Sequence, residues 1–369
     1  MKYLLSGGGT GGHIYPALAI ANEIKSQNKD AEILFVGTNK GLEAELVPKS
    51  GYNFKTIRVS GMPRRLNKES FIALRELLHG LSEAKRIIKE YKPDIVIGTG
   101  GYVSGPVVFM AKKRGIPVLI HEQNAFPGIT NKILGSQADK IAVTFDEARK
   151  YFKHPERVVK TGNPIRKQIL EVDKSLAYNK LKIKPTKPFI LSFGGSGGQK
   201  KLNDAFFQII KNYKDSDDYQ LIHVTGSRMY DSFMERIKNE KIVVHENLRV
   251  LPYFYDMPEA LNIADIIVTS AGAITLAEIS AVGVPSILIP KAYTAENHQE
   301  YNARVFEENK AAILLLEKDL TPKLLYNNIM NLIKDKDRLK TMGTNSKKLG
   351  DIHAARKISD LIEELLKKK

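Results

Sequence analysis

The sequence predicts an α/β protein of two doubly wound domains, each a parallel sheet with helices on both faces. Three observations predict it. Short, continuous apolar runs alternate with amphipathic stretches along the 369 residues. The alternation runs twice, with a Lys- and Pro-rich stretch near residues 160–190 between the two series. Several apolar runs end in glycine clusters, where ligands meet the carboxyl ends of parallel strands.

In chain order, "KYLL", "AEILFVG", "DIVIGTG", "IPVLIHE" and "KIAVTF" read as the strands of the first series. "PFILSFGG", "YQLIHVTG", "KIVVHE", "DIIVTSAG" and "VPSILIP" read as those of the second. Runs without polar alternation imply strands buried on both faces. The first domain is expected over residues 1–161 and the second over 162–350. The tail, "DIHAARKISDLIEELLKKK" (351–369), reads as an amphipathic helix that packs back on the first domain.

Apolar residues make up 43% of the chain and charged residues 27%, the balance of a soluble globular protein. With no cysteine there is neither a disulfide nor a thiolate metal site, which fits a reducing cytoplasm. The start "MKYLL" breaks off too soon for a signal peptide, and no apolar run approaches the ~20 residues of a membrane span. The net charge of +16 points to an anionic partner: nucleic acid, a phosphorylated small molecule or an acidic membrane surface. No helix-turn-helix, zinc-finger or RNP signature occurs, and there is no tryptophan to stack on a base.

Three strands end in glycine clusters: "LLSGGGTGGH", "IVIGTGGYVSG" and "ILSFGGSGGQKK". Glycine lets a backbone approach a ligand, and the N–H groups at the next helix start can hold an anion. Gly7, Gly9 and Gly12 fit a dinucleotide fingerprint, but no acid follows the second strand before Glu43, which counts against a nicotinamide cofactor. The third cluster lacks the ending of a P-loop. The triplet Asp215-Ser216-Asp217 precedes a strand, the wrong end for a metal-held sugar nucleotide, and reads as a solvated turn. A diphosphate held by backbone amides and helix ends, without metal or cofactor, remains. Ser196 can donate to a phosphate. Glu278 can accept ribose hydroxyls or simply be a helix-start acid favoured by the dipole. Asn297, His298, Gln299 and Asn302 suit sugar hydroxyls.

Six motifs, in order and over nearly the whole chain, closely resemble the MurG family of N-acetylglucosaminyltransferases. They are "GGGTGGHIYPALAIA", "GTGGYVSGPVV", "HEQNAFPGITNK", "TGNPIR", "FGGSGGQKKLN" and "SAGAITLAEISAVGVPSILIP…NHQEYNA". The resemblance implies a GT-B fold, two Rossmann-like domains facing across a cleft. It implies a UDP-N-acetylglucosamine donor and lipid I, undecaprenyl-pyrophosphoryl-MurNAc-pentapeptide, as acceptor, giving lipid II for the cell wall. Ser196 is then the diphosphate contact, Arg166 the arginine of "GNPxR", and Ala273, Ile274, Thr275, Leu276, Ala277 and Glu278 the ribose-binding helix start. Gln299 takes sugar hydroxyls, Phe254 holds uracil through its backbone, and Thr10, Gly11, Gly12 and Asn124 reach the donor sugar. Some members carry a second Gln where this chain has His298. The alternatives are another UDP-sugar enzyme of the same fold, a UDP-N-acetylglucosamine 2-epimerase or a sterol or antibiotic glycosyltransferase.

The implied reaction is an inverting transfer, which needs a base for the acceptor hydroxyl. His13, at a helix start where the dipole disfavours imidazolium, reads equally as that base or as a positioning residue. Glu122 and His121 are the other candidates for base or acceptor site. A lipid acceptor demands a membrane face. Phe71, Leu74, Leu78 and Leu81 fall at helical spacing beside Arg64, Arg65, Lys68 and Arg75, which suits either an anionic membrane surface or an ordinary core-facing helix. Residues 1–165 hold 25 Lys and Arg against 15 Asp and Glu, +10 of the total +16. The expected place is peripheral, on the cytoplasmic face of the cell membrane, with other cell-wall synthesis proteins as candidate partners and no nucleic acid.

Overall fold

The computed structural model describes residues 1–61, 68–195, 197–213 and 217–367. Arg64, Arg65, Ser196, Asp215 and Ser216 lie outside the described residues, as does the side chain of Lys68. The chain divides into two compact units, residues 1–165 with 352–369, and residues 166–351.

The first unit runs β1 (Lys2–Gly7), α1 (Gly11–Gln27), β2 (Glu32–Gly37), α2 (Glu43–Lys49), β3 (Asn53–Thr56), α3 (Lys68–Tyr91), β4 (Ile95–Gly100), α4 (Ser104–Lys112), β5 (Val118–Glu122), α5 (Ile129–Gly135), β6 (Lys140–Val143) and β7 (Val158–Lys160). The second runs α6 (Lys174–Leu181), β8 (Phe189–Phe193), α7 (Lys200–Tyr213), β9 (Gln220–Val224), α8 (Ser227–Asn239), β10 (Leu248–Leu251), α9 (Met257–Ile263), β11 (Ile266–Thr269), α10 (Ala273–Val282), β12 (Ser286–Leu288), α11 (His298–Glu308), β13 (Ala312–Leu314), α12 (Pro322–Lys334) and α13 (Lys336–Leu349). The last helix, α14 (Ala354–Lys367), returns to the first unit.

Both sheets are wholly parallel, ordered β3-β2-β1-β4-β5-β6-β7 and β10-β9-β8-β11-β12-β13. In each, the order reverses once, between β1 and β4 and between β8 and β11. Loops leaving neighbouring strands diverge there and leave room for a ligand.

Burial explains the unbroken apolar runs. In β1, Leu4 packs into a core on one face of the sheet, while Tyr3 and Leu5 pack into a second core on the other. In β4, Val96 faces the first core and Ile95 and Ile97 the second. A strand covered on both faces has no polar side to show. α14 closes the second core with Ile358, Ile362 and Leu365, one helical stripe, and Ser359 donates to Gln27 of α1 (2.9 Å).

One expected strand is absent. "KIVVHE" is irregular, and the strand that pairs with β9 is the following Leu248–Leu251. Lys241 ends α8's turn with a left-handed backbone (φ 50°), and Ile242 and Val244 pack on the core without joining the ladder. Asp217, from the acidic triplet, is exposed and paired with Lys187.

Candidate active site

In the first unit, β1, β4 and β5 are adjacent and deliver three loops to one sheet end. The first carries His13 at the start of α1. The ring is half-buried against the second glycine loop. A methyl group at Gly100 would lie 2.7 Å from His13 Nδ1, and one at Gly101 would lie 2.3 Å from the carbonyl oxygen of Gly8. Both glycines have positive φ, +104° and +79°. The "GTGG" cluster is therefore bare largely to let the first loop and its histidine dock. The expectation that these glycines make room for a ligand is corrected to that extent.

His13 Nδ1 faces two carbonyl oxygens, Thr99 O (3.0 Å) and Gln123 Oε1 (3.1 Å). Neither can donate, so Nδ1 carries the ring proton and Nε2 keeps its lone pair. The orientation of Gln123 is fixed in turn. Its amide nitrogen donates to Thr99 O (2.8 Å) and lies 3.0 Å from His121 Nδ1 and 3.1 Å from His121 O. His121 Nε2–H donates to Gly162 O (3.1 Å), which leaves His121 Nδ1 as acceptor. His121 is fully buried, and burial pushes it down to about 4. Burial also pushes His13 below the usual histidine range, against its hydrogen bonds to Gln123 and Thr99 and the charge of Glu43. Both rings are neutral at pH 7.

Glu122 is 1% exposed and accepts four N–H bonds: Asn124 N (2.9 Å), Asn124 Nδ2 (3.1 Å), Gly128 N (3.2 Å) and Asn131 Nδ2 (2.8 Å). Burial pushes its carboxyl up, and those donors pull it back. A carboxylate so occupied shapes the 123–128 loop and has no free lone pair for a substrate proton. The geometry thus favours His13 over Glu122 as base. Glu43, also 1% exposed, accepts from Gly9 N (3.1 Å), Thr38 N (3.0 Å) and Thr38 Oγ1 (2.8 Å). A protein carboxylate thus takes a first-loop amide that a dinucleotide pyrophosphate would need. Thr10 precedes α1 without capping it.

In the second unit the loops after β8, β10, β11 and β12 emerge at one sheet end. They carry Gly194–Gly198, Phe254, Ser270–Gly272 and Lys291–Asn297. Ala273, Ile274, Thr275, Leu276, Ala277 and Glu278 form the first turns of α10, whose start has no side-chain cap. Arg166 Nε donates to Glu278 Oε1 (2.9 Å), and Glu278 is 5% exposed. Burial pushes its carboxyl up and Arg166 pulls it down. Nothing in their spacing, 112 residues apart, marks these two residues as a pair. Gln299 is buried, and its Oε1 accepts from Lys291 N (3.0 Å). Asn302 is fully buried and donates to Ala271 O (3.1 Å), so it ties α11 to the β11 loop and does not face a sugar. Phe254 is half-buried between exposed Tyr253 and Tyr255, which pair edge-on at 4.7 Å. Gln123 and Lys291 were not singled out from the sequence. Gln123 sits inside the quoted "HEQN", but its role depends on contacts 24 and 110 residues away. Among the described residues no three His, Cys, Asp or Glu side chains gather as a metal site would need.

Comparison with known proteins agrees with this architecture. Residues 3–143 match the glycosyltransferase family 28 N-terminal domain, and residues 189–364 match its C-terminal domain. An Acetivibrio thermocellus protein named UDP-N-acetylglucosamine–N-acetylmuramyl-(pentapeptide) pyrophosphoryl-undecaprenol N-acetylglucosamine transferase is 48% identical over 369 residues, 100% of this chain and 99% of its own length. A protein of the same name from Thermoanaerobacter sp. is 50% identical over 365 residues, 99% of this chain and 100% of its own. The crystal structure of Acinetobacter baumannii MurG superposes with a TM-score of 0.78 at 28% identity, covering 99% of this chain and 100% of that one. Two parallel, doubly wound units, both domain matches and near-half identity along the full length have one consequence: the chain belongs to glycosyltransferase family 28.

Proposed function

We propose that the protein transfers N-acetylglucosamine from UDP-N-acetylglucosamine to the C4 hydroxyl of the MurNAc of lipid I, giving lipid II with inversion. The relatives' names supply the substrates. The observation that carries the chemistry is His13, neutral and half-buried, with its proton fixed on Nδ1 and Nε2 open as an acceptor. The acceptor oxygen attacks the anomeric carbon and its proton passes to His13 Nε2. The bond from that carbon to the β-phosphate oxygen breaks, and its electron pair leaves with UDP. Arg166, Ser196, Phe254, Ala273–Glu278 and Gln299 bind the donor in the second unit. Thr10, Gly11, Gly12 and Asn124 serve its sugar.

The test is UDP release from UDP-N-acetylglucosamine with and without a lipid I analogue. The expected result is release only with acceptor, and a product heavier by one N-acetylhexosamine. Acceptor-independent formation of the 2-epimer would replace the transferase reading with the epimerase one.

The acceptor's lipid fits α3. Phe71 is 78% exposed, Ile72 59%, Leu74 48% and Leu78 62%, whereas Ala73, Ala84, Ile87 and Ile88 on the same helix enter the core. Of the stripe read from the sequence, Phe71, Leu74 and Leu78 are exposed and Leu81 is half-buried, which supports the membrane reading over that of an ordinary core-facing helix. α4 packs against both α3 and α5, and α5 exposes Ile129 and Ile133 beside Lys132. No helix among the described residues is long and apolar enough to cross a membrane. Apolar side chains edged by cations suit a peripheral stance on anionic lipid, at the cytoplasmic face where the acceptor's sugar is presented. The double substitution Phe71→Ser, Leu78→Ser is expected to weaken sedimentation with anionic vesicles about tenfold or more, since each side chain forfeits on the order of 1 kcal/mol of burial. Unchanged sedimentation would remove this face from membrane docking.

A further inference from the structure

Two polar side chains at the reversal point of the second sheet are left without work. Ser270 follows β11, is 2% exposed, and its hydroxyl makes no hydrogen bond among the described residues. Lys291 follows β12, is half-buried, and its ammonium makes neither a hydrogen bond nor an ion pair among them. Both border the same space. Gly195, at the tip of the β8 loop with a left-handed backbone (φ +76°), turns its side-chain direction into that space. A methyl group there would lie 3.6 Å from Ser270 Oγ and 3.9 Å from Lys291 Nζ. A methyl group at Gly197 would meet none of the described residues within 4 Å.

The walls are fixed while the centre is open. Ile289 N–H donates to Thr269 O (2.8 Å), which holds the β12 end against β11. Gln199 Nε2 bolts the glycine loop to Ile289 O (3.0 Å) and to Glu317 Oε1 (2.7 Å). The backbone of Lys291 is pinned by Gln299. The acid that acts on Lys291 is Glu317, whose other oxygen is taken by Ala292 N–H (3.1 Å). A half-buried ammonium without a partner, and a buried hydroxyl without one, both lose free energy until an oxyanion supplies acceptors. Burial pushes the Lys291 ammonium down, which is the same deficit seen from its proton.

We infer that Ser270 and Lys291 are the side-chain seat for a phosphate of the donor's diphosphate, with Lys291 as its counter-charge. The inference rests on the donor reading above and adds two residues to it. Three neighbouring strand ends, β8, β11 and β12, meet at this seat, and the uncapped start of α10 follows Ser270 by three residues.

Calorimetric titration of the full-length protein with UDP and with uridine tests it, using Lys291→Met, Lys291→Arg and Ser270→Ala. Lys291→Met is expected to weaken UDP binding about tenfold or more, as loss of a charge-assisted phosphate contact does, and to leave uridine within about twofold. Lys291→Arg should restore most of the UDP affinity, and Ser270→Ala should cost UDP alone severalfold. Melting curves without ligand show that each variant is folded, and Lys291→Arg preserves the test should Lys291→Met fail to fold, since a seat requires that it still prefer UDP to uridine. If the unsubstituted protein binds UDP and Lys291→Met binds it equally well, the seat is wrong and the donor reading stands. If the unsubstituted protein binds no UDP, the donor reading falls and the seat with it.

Discussion

Replacing His13 with alanine is expected to lower the turnover number by roughly 10²- to 10⁴-fold, the usual contribution of a positioned general base, while UDP affinity stays within about twofold. The reason is specific to the ring's surroundings. Two carbonyl oxygens hold the Nδ1 proton, so Nε2 is the only ring atom able to take one. Protonation of Nε2 is reversible, because Thr99 and Gln123 keep their bonds in the imidazolium. The fully buried His121, held neutral, adds no competing charge to that amide. His13→Gln separates base from positioning residue, since glutamine can hydrogen-bond substrate but cannot take its proton. Recovery of turnover to within about threefold of the unsubstituted protein would show that His13 only positions. In the unsubstituted enzyme the rate should fall with acid, because protonated His13 accepts nothing. Its pKa is lowered by burial, so that limb should lie below the usual histidine value near 6.5. A rate unchanged well below that point would exclude His13 as the titrating group.

Much of the scaffold is readable from the chain, for a physical reason. Strands buried on both faces are apolar along most of their length, and β1, β2, β4, β5, β8, β9 and β11 announce themselves so, with their buried polar residues, such as His121, Glu122, Ser192 and His223, as exceptions. The edge strands do not. β3 is "NFKT" and β7 "VVK", short segments with exposed positions whose strand character comes from the neighbour they pair with. "KIVVHE" shows the converse, an apolar run with no ladder to join. Site residues divide similarly. His13 is marked by its place after a glycine loop at a helix start. The partners that give it one tautomer come from β4 and from the loop after β5, and no spacing reveals them. Glycine clusters locate the loops but do not say what each glycine admits. Gly100 and Gly101 admit protein, whereas Gly195 faces open space bounded by polar side chains. Lys291 is one lysine among many in a basic chain. Its burial, and an ammonium with no hydrogen bond or ion pair among the described residues, set it apart.

The second large effect concerns acid stability and rests on His223 in β9. Its ring is fully buried, stacked on Phe206 at a centroid distance of 4.7 Å and beside Phe233 at 5.5 Å. Nδ1 meets Ser192 Oγ (3.1 Å) and Nε2 has no hydrogen-bond partner among the described residues. An imidazolium there would place an unshared charge among aromatic rings, so burial pushes the group down to about 3. The unfolded chain takes the proton near 6.5. Between those values the unfolded state binds a proton that the native state refuses. Stability therefore rises with pH across the window, is complete above about 6.5, and is lost as pH falls toward about 3. The slope from this residue approaches about 1.4 kcal/mol per pH unit, or roughly 2 kcal/mol lost by pH 5. His121, at about 4, acts with the same sign in the first unit. His223→Leu removes the titration but strands the buried Ser192 hydroxyl, so the variant should be less stable at pH 7 by about 1–3 kcal/mol. Its stability should then fall less steeply with acid, and the two curves should converge near pH 5. Urea titrations followed by circular dichroism at several pH values between 7 and 5 give both slopes. Parallel slopes would mean that the folded protein protonates His223 as readily as the unfolded chain does, and that its buried neutral ring is not what makes the second unit acid-labile.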